Sequence, residues 1–250
     1  MASPRTPQGP APPPAVQRLR VRYAKRSRLR FASSRDFSRS LERALRRAAV
    51  PMAYSAGFHP HPKISYANGA PTGAASEAEY FEISVVERVD PESVRVALDA
   101  ALPVGLDIVE VVEAGPGSLA DRLQASVWRI ELAQLPVAVA ALAVQRFLER
   151  ERVEVTRMFK TGLKSLDARG AVVSMDVVPG SDPHCAILRV VVRHTTPSVR
   201  PDDILTALRA VTELSLPVPP LVTRLAQGPL LDAGGWVADP LAADKGDVGT

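Results

Sequence analysis

The sequence predicts an α+β protein made of two ferredoxin-like (βαββαβ) modules in tandem, with disordered N- and C-terminal tails. Three observations predict it. Stretches of period-two alternation and stretches with a helical apolar period follow one another in the order β-α-β-β-α-β, and that order then recurs. Gly115-Pro116-Gly117 separates the two runs as a linker. The flanks, residues 1–16 with six prolines and residues 228–250 rich in Ala, Gly and Asp, hold too little apolar surface to offset chain entropy.

The first module spans residues 17–114. Leu19, Val21 and Tyr23 alternate with Arg18, Arg20 and Arg22, which is a strand pattern. Ser33 or Ser34 caps a helix running to about Ala49, with Phe37, Leu41, Ala44, Leu45 and Ala48 on one side and Pro51 beyond its end. A loop and short strand fill Met52 to Ala67, and a longer strand covers about Glu79 to Val86. Asp90-Pro91-Glu92 opens a second helix, and Leu106 to Val112 is the last strand.

The second module, residues 118–227, repeats the theme. A strand at Val127–Leu132 leads to a helix at about Pro136–Glu149. Strands around Val153–Phe159, Ala171–Val178 and Ala186–Arg193 follow, then a helix at Asp202–Val211 and a strand near Leu221–Leu225. The repeat is one of element order, not of residues. In the C-terminal tail, Trp236 alone is suited to dock locally.

Charge is unevenly spread. Between Arg18 and Arg47 stand twelve basic residues, eleven of them Arg, against Asp36 and Glu42, a local +10 in a chain of net +4. The remainder is therefore acidic, and such asymmetry speaks of partners rather than of fold. The single cysteine, Cys185, excludes an internal disulfide framework and a cysteine-built metal site, and fits a reducing cytoplasm. No secretion signal is visible, and the most apolar run, Leu132 to Val144, is too short to span a bilayer.

Three features carry candidate chemistry. Arg18, Arg20 and Arg22 share one strand face, and Arg35, Arg39, Arg43 and Arg46 cluster opposite the apolar stripe of the helix, with Arg28 and Arg30 between. Planar guanidinium forks donate two hydrogen bonds to a phosphate and keep their charge. The alternative is a solvated helix face. Next, Gly57-Phe58-His59-Pro60-His61-Pro62-Lys63 forms a stiff extended loop in which Phe58, His59, His61 and Lys63 suit stacking on a base and contact with phosphate. Metal ligation by the two histidines and a purely structural turn with Phe58 inward are the alternatives. Last, the loop Lys160 to Gly170 places Asp167 near Lys164 and Arg169, either as an activated carboxylate or as a salt-bridged hairpin residue. Glu77, Glu79 and Glu82 form an acidic cluster whose simplest use is to offset the arginines. Phosphate loops, dinucleotide fingerprints, nucleophile elbows and CxxC pairs are absent, and no cofactor or metal is expected.

The pieces from Arg20 to Phe31, from Arg46 to Pro51, from Ser55 to Ser65, Ala70-Pro71-Thr72-Gly73 and from Ser76 to Phe81 resemble the family of uncharacterised radical-SAM-linked proteins, a domain of unknown function. Segments Lys164–Arg169 and Arg200-Pro201 resemble it too, so the likeness covers most of residues 17–226. The resemblance implies RNA metabolism, or an accessory role beside a ribonuclease, a ribosome-associated protein or a radical-SAM enzyme. The three-cysteine cluster motif of a radical-SAM domain is missing, so that chemistry is not expected of this chain.

Together these readings predict a cytoplasmic, non-enzymatic RNA-binding or RNA-metabolism accessory protein. Its contacts would be Arg18, Arg20, Arg22, Arg28, Arg30, Arg35, Arg39, Arg43, Arg46, Phe58, His59, His61, Lys63, Lys160, Lys164 and Arg169. The alternatives are an RNA-modifying enzyme with Asp167 as its catalytic carboxylate and a protein adaptor for a separate enzyme.

Overall fold

The computed structural model describes residues 12–180, 182, 184–212, 214–231 and 234–246. Of the expected N-terminal tail, residues 1–11 lie outside the described residues. Residues 12–16 have no regular structure, and Val16 N–H donates to Val85 O at 2.9 Å. The chain is mixed α+β and divides into two compact units.

Among the described residues the first unit comprises 12–72, 79–117 and 241–246. Its elements are β1 (Gln17–Lys25), α1 (Ser34–Arg47), β2 (Ile64–Ala67), β3 (Ala75–Val85, of which residues 79–85 count here), α2 (Pro91–Ala101) and β4 (Leu106–Glu113). The strands lie in the order β4-β1-β3-β2. β4 runs antiparallel to β1, with a bulge between Arg22 and Tyr23, and β2 runs antiparallel to β3.

α1 forms where local chemistry directs it. Ser33 Oγ accepts from Asp36 N, and Asp36 returns the bond to Ser33 N, a complete capping box. Arg46 and Arg47 in the last turn complement the helix dipole. Its stripe Phe37, Leu41, Ala44 and Leu45 is buried against Leu19, Val21, Phe81, Ile83 and Leu98. α2 starts at the Asp90 N-cap, whose carboxylate accepts from Ser93 N, with Pro91 in the first turn.

The second unit comprises residues 73–78 and the described part of 118–240. Its elements are α3 (Leu119–Arg122), β5 (Ala125–Ala133), α4 (Val137–Leu148), β6 (Glu154–Phe159), β7 (Gly162–Asp167), α5 (Ala168–Ala171), β8 (Val172–Pro179), β9 (Cys185–Arg193), α6 (Pro201–Thr212) and β10 (Leu221–Gly228). Four strands take the order β10-β5-β9-β8, all antiparallel, while β6 and β7 pair as a separate hairpin. Ala75 and Ser76, at the start of β3, pair in parallel with Thr223 and Arg224 of β10. α4 packs on α6 and β8.

Two expectations change. Residues 160–170, read as a loop, form most of the β6–β7 hairpin and the turn α5. Gly162 at φ +107° closes the tight connection, and Val155 and Leu166, paired across the hairpin, are both buried. The C-terminal stretch, read as a loose tail, is anchored at several of its described residues. Ala238 N–H donates to Pro229 O, and the Leu241 and Asp244 side chains are fully buried. Trp236, the residue expected to dock, is 72% exposed. Among the described residues no helix is long and apolar enough to cross a membrane.

Candidate nucleic-acid interface

The α1 face opposite the core carries Arg35, Arg39, Arg43 and Arg46, all exposed. Arg43 Nη2 donates to Ser40 Oγ at 3.3 Å and Arg46 Nε to Glu42 O at 3.2 Å. Among the described residues no carboxylate lies within ion-pair distance of these four guanidinium groups. Arg28 and Arg30 sit on a 3-10 turn, Ser27–Phe31, with Arg30 stacked 4.7 Å over the exposed Phe31 ring. Their neighbour Arg26 is paired with Asp107 at 2.7 Å.

The β1 arginines do not form one open face. Arg18 is exposed and Arg22 half-buried, but Arg20 between them is fully buried. Its Nε donates to Glu82 at 3.0 Å, Nη1 to both oxygens of Asp244 at 2.7 Å and Nη2 to Gly117 O at 2.6 Å. Burial alone would pull the guanidinium pKa down, but the bonds to Asp244 and Glu82 hold it above its ordinary value. Arg20 therefore leaves the phosphate-contact set and becomes a structural anchor. Its local alternation could not reveal this, because the partner Asp244 is 224 positions away.

The Gly-Phe-His-Pro-His-Pro loop is held at its base as a narrow arch. Tyr54 bridges Pro62, Ser55 N–H donates to His61 O at 2.9 Å, and His61 N–H donates to Ser55 Oγ at 3.0 Å. Gly57 turns at φ +132° at the tip. Phe58 is 62% exposed, so it is not packed inward, and His59, His61 and Lys63 are exposed with it. A cavity of about 140 Å³ lies between this arch and α1, lined by Glu42, Arg46, Tyr54 and His61 among others. The two separate sequence features thus meet there. Among the described residues no three His, Cys, Asp or Glu side chains gather as a ligand set.

A second cavity, of about 190 Å³, opens at the other end of α1. Tyr23, Phe37 and Tyr66, which contact one another or Phe81 through their rings, line it together with Lys25, Asn68, Glu79 and Tyr80. Tyr23 and Phe37 stack at 4.2 Å and Phe37 meets Tyr66 edge-on at 6.0 Å. The Tyr66 hydroxyl bonds Ser38 Oγ at 2.9 Å, and burial pushes its pKa up. Sequence reasoning missed this site, since rings from β1, α1, β2 and β3 each looked like ordinary core residues. Of the acidic cluster, Glu82 does offset an arginine, while Glu79 is buried and accepts from Ala70 N at 2.9 Å.

In the second unit, Lys160 and Lys164 are exposed on the hairpin, with Lys164 Nζ 5.5 Å from the Phe159 ring centre. Arg169 donates to the carbonyls of Leu148 and Val172, which makes it a structural tie rather than a ligand contact. Asp167 caps α5, accepting from Gly170 N at 3.1 Å and Val153 N at 3.3 Å. Among the described residues neither Lys164 nor Arg169 is ion-paired with it. The activated-carboxylate geometry is not formed; local capping uses the carboxylate instead.

Fold and site define a mixed α+β chain whose first unit presents an arginine-faced helix with a cavity at each end. Residues 18–201 match the family of uncharacterized proteins conserved in bacteria known as DUF2344, and the chain belongs to that family. None of the curated proteins matches it.

Proposed function

We propose that this is a non-enzymatic RNA-binding accessory protein that grips phosphates with the outer face of α1 and local shape with the neighbouring arch. The carrying observation is that Arg39, Arg43 and Arg46 stand exposed on one helix face with no carboxylate within ion-pair distance among the described residues, and that Arg46 lines the same cavity as His61. Exposed guanidinium groups in a row supply sequence-independent phosphate contacts, and an exposed Phe58 beside two histidines supplies a stacking edge. Arg28, Arg30, Arg35 and Lys63 are further cations of the first unit, while Arg18 lies on the face of β1 opposite the one that packs against α1. Lys160 and Lys164 are a separate basic hairpin in the second.

The fold reading that accompanies this is two ferredoxin-like modules. The orders β4-β1-β3-β2 and β10-β5-β9-β8 support it, with the β6–β7 hairpin inserted in the second. The partner class is RNA, in a cytoplasmic setting, with a ribonuclease, ribosome-associated or radical-SAM protein as the enzyme such an accessory would serve. The test is retention of cellular RNA and of a single-stranded oligonucleotide by the purified chain and by an R39E/R43E/R46E variant. Loss in the variant supports the reading, and equal retention overturns it.

A further inference from the structure

The cavity between the arch and the last turns of α1 is shaped by the way that helix ends. Ala49 turns at φ +52°, with its N–H donating to Arg46 O at 3.2 Å and Val50 N–H donating to Leu45 O at 3.1 Å, a Schellman closure. The closure sets Val50 against the core that holds Leu45, and with the buried Met52 these side chains make an apolar floor. The polar lining comes from both walls, Glu42 and Arg46 from α1, Tyr54 and His61 from the two legs of the arch. Glu42 and Arg46 stand one helical turn apart, the spacing at which a carboxylate and a guanidinium commonly pair. Here Arg46 Nε turns to the Glu42 carbonyl instead, at 3.2 Å, which leaves its Nη groups open. The Glu42 carboxylate, the Tyr54 hydroxyl and the His61 ring make no hydrogen bond or ion pair among the described residues. The cavity therefore offers an acceptor and a donor on one wall, faced by two groups that can play either part.

A bare phosphate uses Arg46 but is repelled by Glu42, and an amine uses Glu42 but is repelled by Arg46. At about 140 Å³ the space is below the roughly 300–1,000 Å³ of drug-sized ligand sites, so one small group enters it. The row Arg39, Arg43 and Arg46 reaches the cavity at Arg46, so a strand gripped along that row brings a sugar to the opening beside its phosphate. We infer that this cavity reads the 2′-hydroxyl of one ribose, which donates to the Glu42 carboxylate and accepts from Tyr54 or His61, while Arg46 holds the neighbouring phosphate. A deoxyribose brings no hydroxyl and leaves that carboxylate facing a phosphate strand with nothing to accept from. The 2′-hydroxyl, donor and acceptor at once, is the group by which a protein tells RNA from DNA at a given site. The inference rests on the phosphate-gripping role of α1 proposed above. It adds a preference for RNA over DNA, which guanidinium groups alone do not give, since both strands carry the same phosphates.

Fluorescence anisotropy of the full chain with a labelled single strand of A and C only, as RNA and as DNA of the same length, tests this in the parent, E42A and E42Q. Position 42 is a half-buried helix site and both replacements are good helix formers, so the fold is kept, and circular dichroism checks it. The parent binds the RNA strand roughly tenfold tighter than the DNA strand, the low end for a hydrogen bond to a charged group. E42A brings that ratio to about one, because the acceptor is gone. Loss of one negative charge strengthens binding of both strands alike, so the ratio and not the affinity is the readout. E42Q removes the same charge but keeps an acceptor oxygen, and its ratio stays above that of E42A. Salt-sensitive binding that is equal for RNA and DNA in the parent, or an RNA preference that E42A keeps in full, overturns the ribose reading and leaves the arginine row standing. Ratios that collapse equally in E42A and E42Q show that charge and not an acceptor is at work, and overturn it as well. A parent chain that binds neither strand at low salt sinks the arginine reading, and the ribose reading falls with it.

Discussion

Arg20 and Asp244, near opposite ends of the chain, form an ion pair at 2.7 Å with both side chains fully buried. Gly115 N–H also donates to Asp244 at 2.9 Å, so the carboxylate gathers β1, the segment after β4 and the C-terminal turn of the first unit. Removing one member of a buried pair strands the other charge in a low-dielectric interior.

D244A therefore destabilises the first unit by about 3 kcal/mol, the low end for a broken buried pair because Glu82 still holds Arg20. Urea denaturation followed by circular dichroism measures it. A loss below about 1 kcal/mol, the range of a surface pair, contradicts the anchor role.

His194 gives the second unit a pH response. Its Nδ1 faces Leu123 O at 2.6 Å and must donate, since a carbonyl only accepts; Nε2 then accepts from Ser126 Oγ at 2.7 Å. Burial first, and the nearby Arg224 charge, lower its pKa below the usual 6.5. Below pH 6.5 the unfolded chain binds a proton that the folded chain refuses. Stability is complete above that value and falls as pH drops from it toward the folded pKa, by at most about 1.4 kcal/mol per pH unit. Denaturation midpoints at pH 7.5 and 5.5 differ less in H194Q than in the parent. An equal pH dependence in both shows that His194 is not the group.

Asp167 is a capping residue, so D167A lowers stability by about 1 kcal/mol and leaves RNA retention unchanged. D167N, which keeps an oxygen acceptor, loses less. Loss of an RNA modification in cells carrying a stable D167N chain would favour catalysis over capping.

Much of the element order was legible because its signals are local. Ser33, Asp36, Asp90 and Pro91 marked the helix starts, the stripe from Phe37 to Leu45 marked the buried face of α1, and the four outer arginines followed from the same period. What the sequence hid depends on distant chain. Arg18, Arg20 and Arg22 alternate alike, yet Arg20 is the one fully buried, with Glu82 and Asp244 arriving from other elements to pair with it. The tail looked unfoldable by composition, but the buried Leu241 and Asp244 side chains and the backbone bond from Ala238 to Pro229 anchor its described part. The cavity at the start of α1 draws on residues 23 to 80 from four elements, so no spacing rule announces it. Arg169 and Asp167 were misread because cations next to a carboxylate in sequence suggest pairing, whereas backbone groups claimed both.

The salt dependence of oligonucleotide binding tests the arginine interface most directly. Each phosphate contact on a single strand contributes about 0.7 to the slope of log K against log salt. Affinity of the parent chain falls steeply with salt, and R39E/R43E/R46E loses most of its low-salt affinity with a slope smaller by about 2. Binding that is flat with salt, or a variant with the parent's slope and affinity, contradicts a phosphate-gripping role for α1.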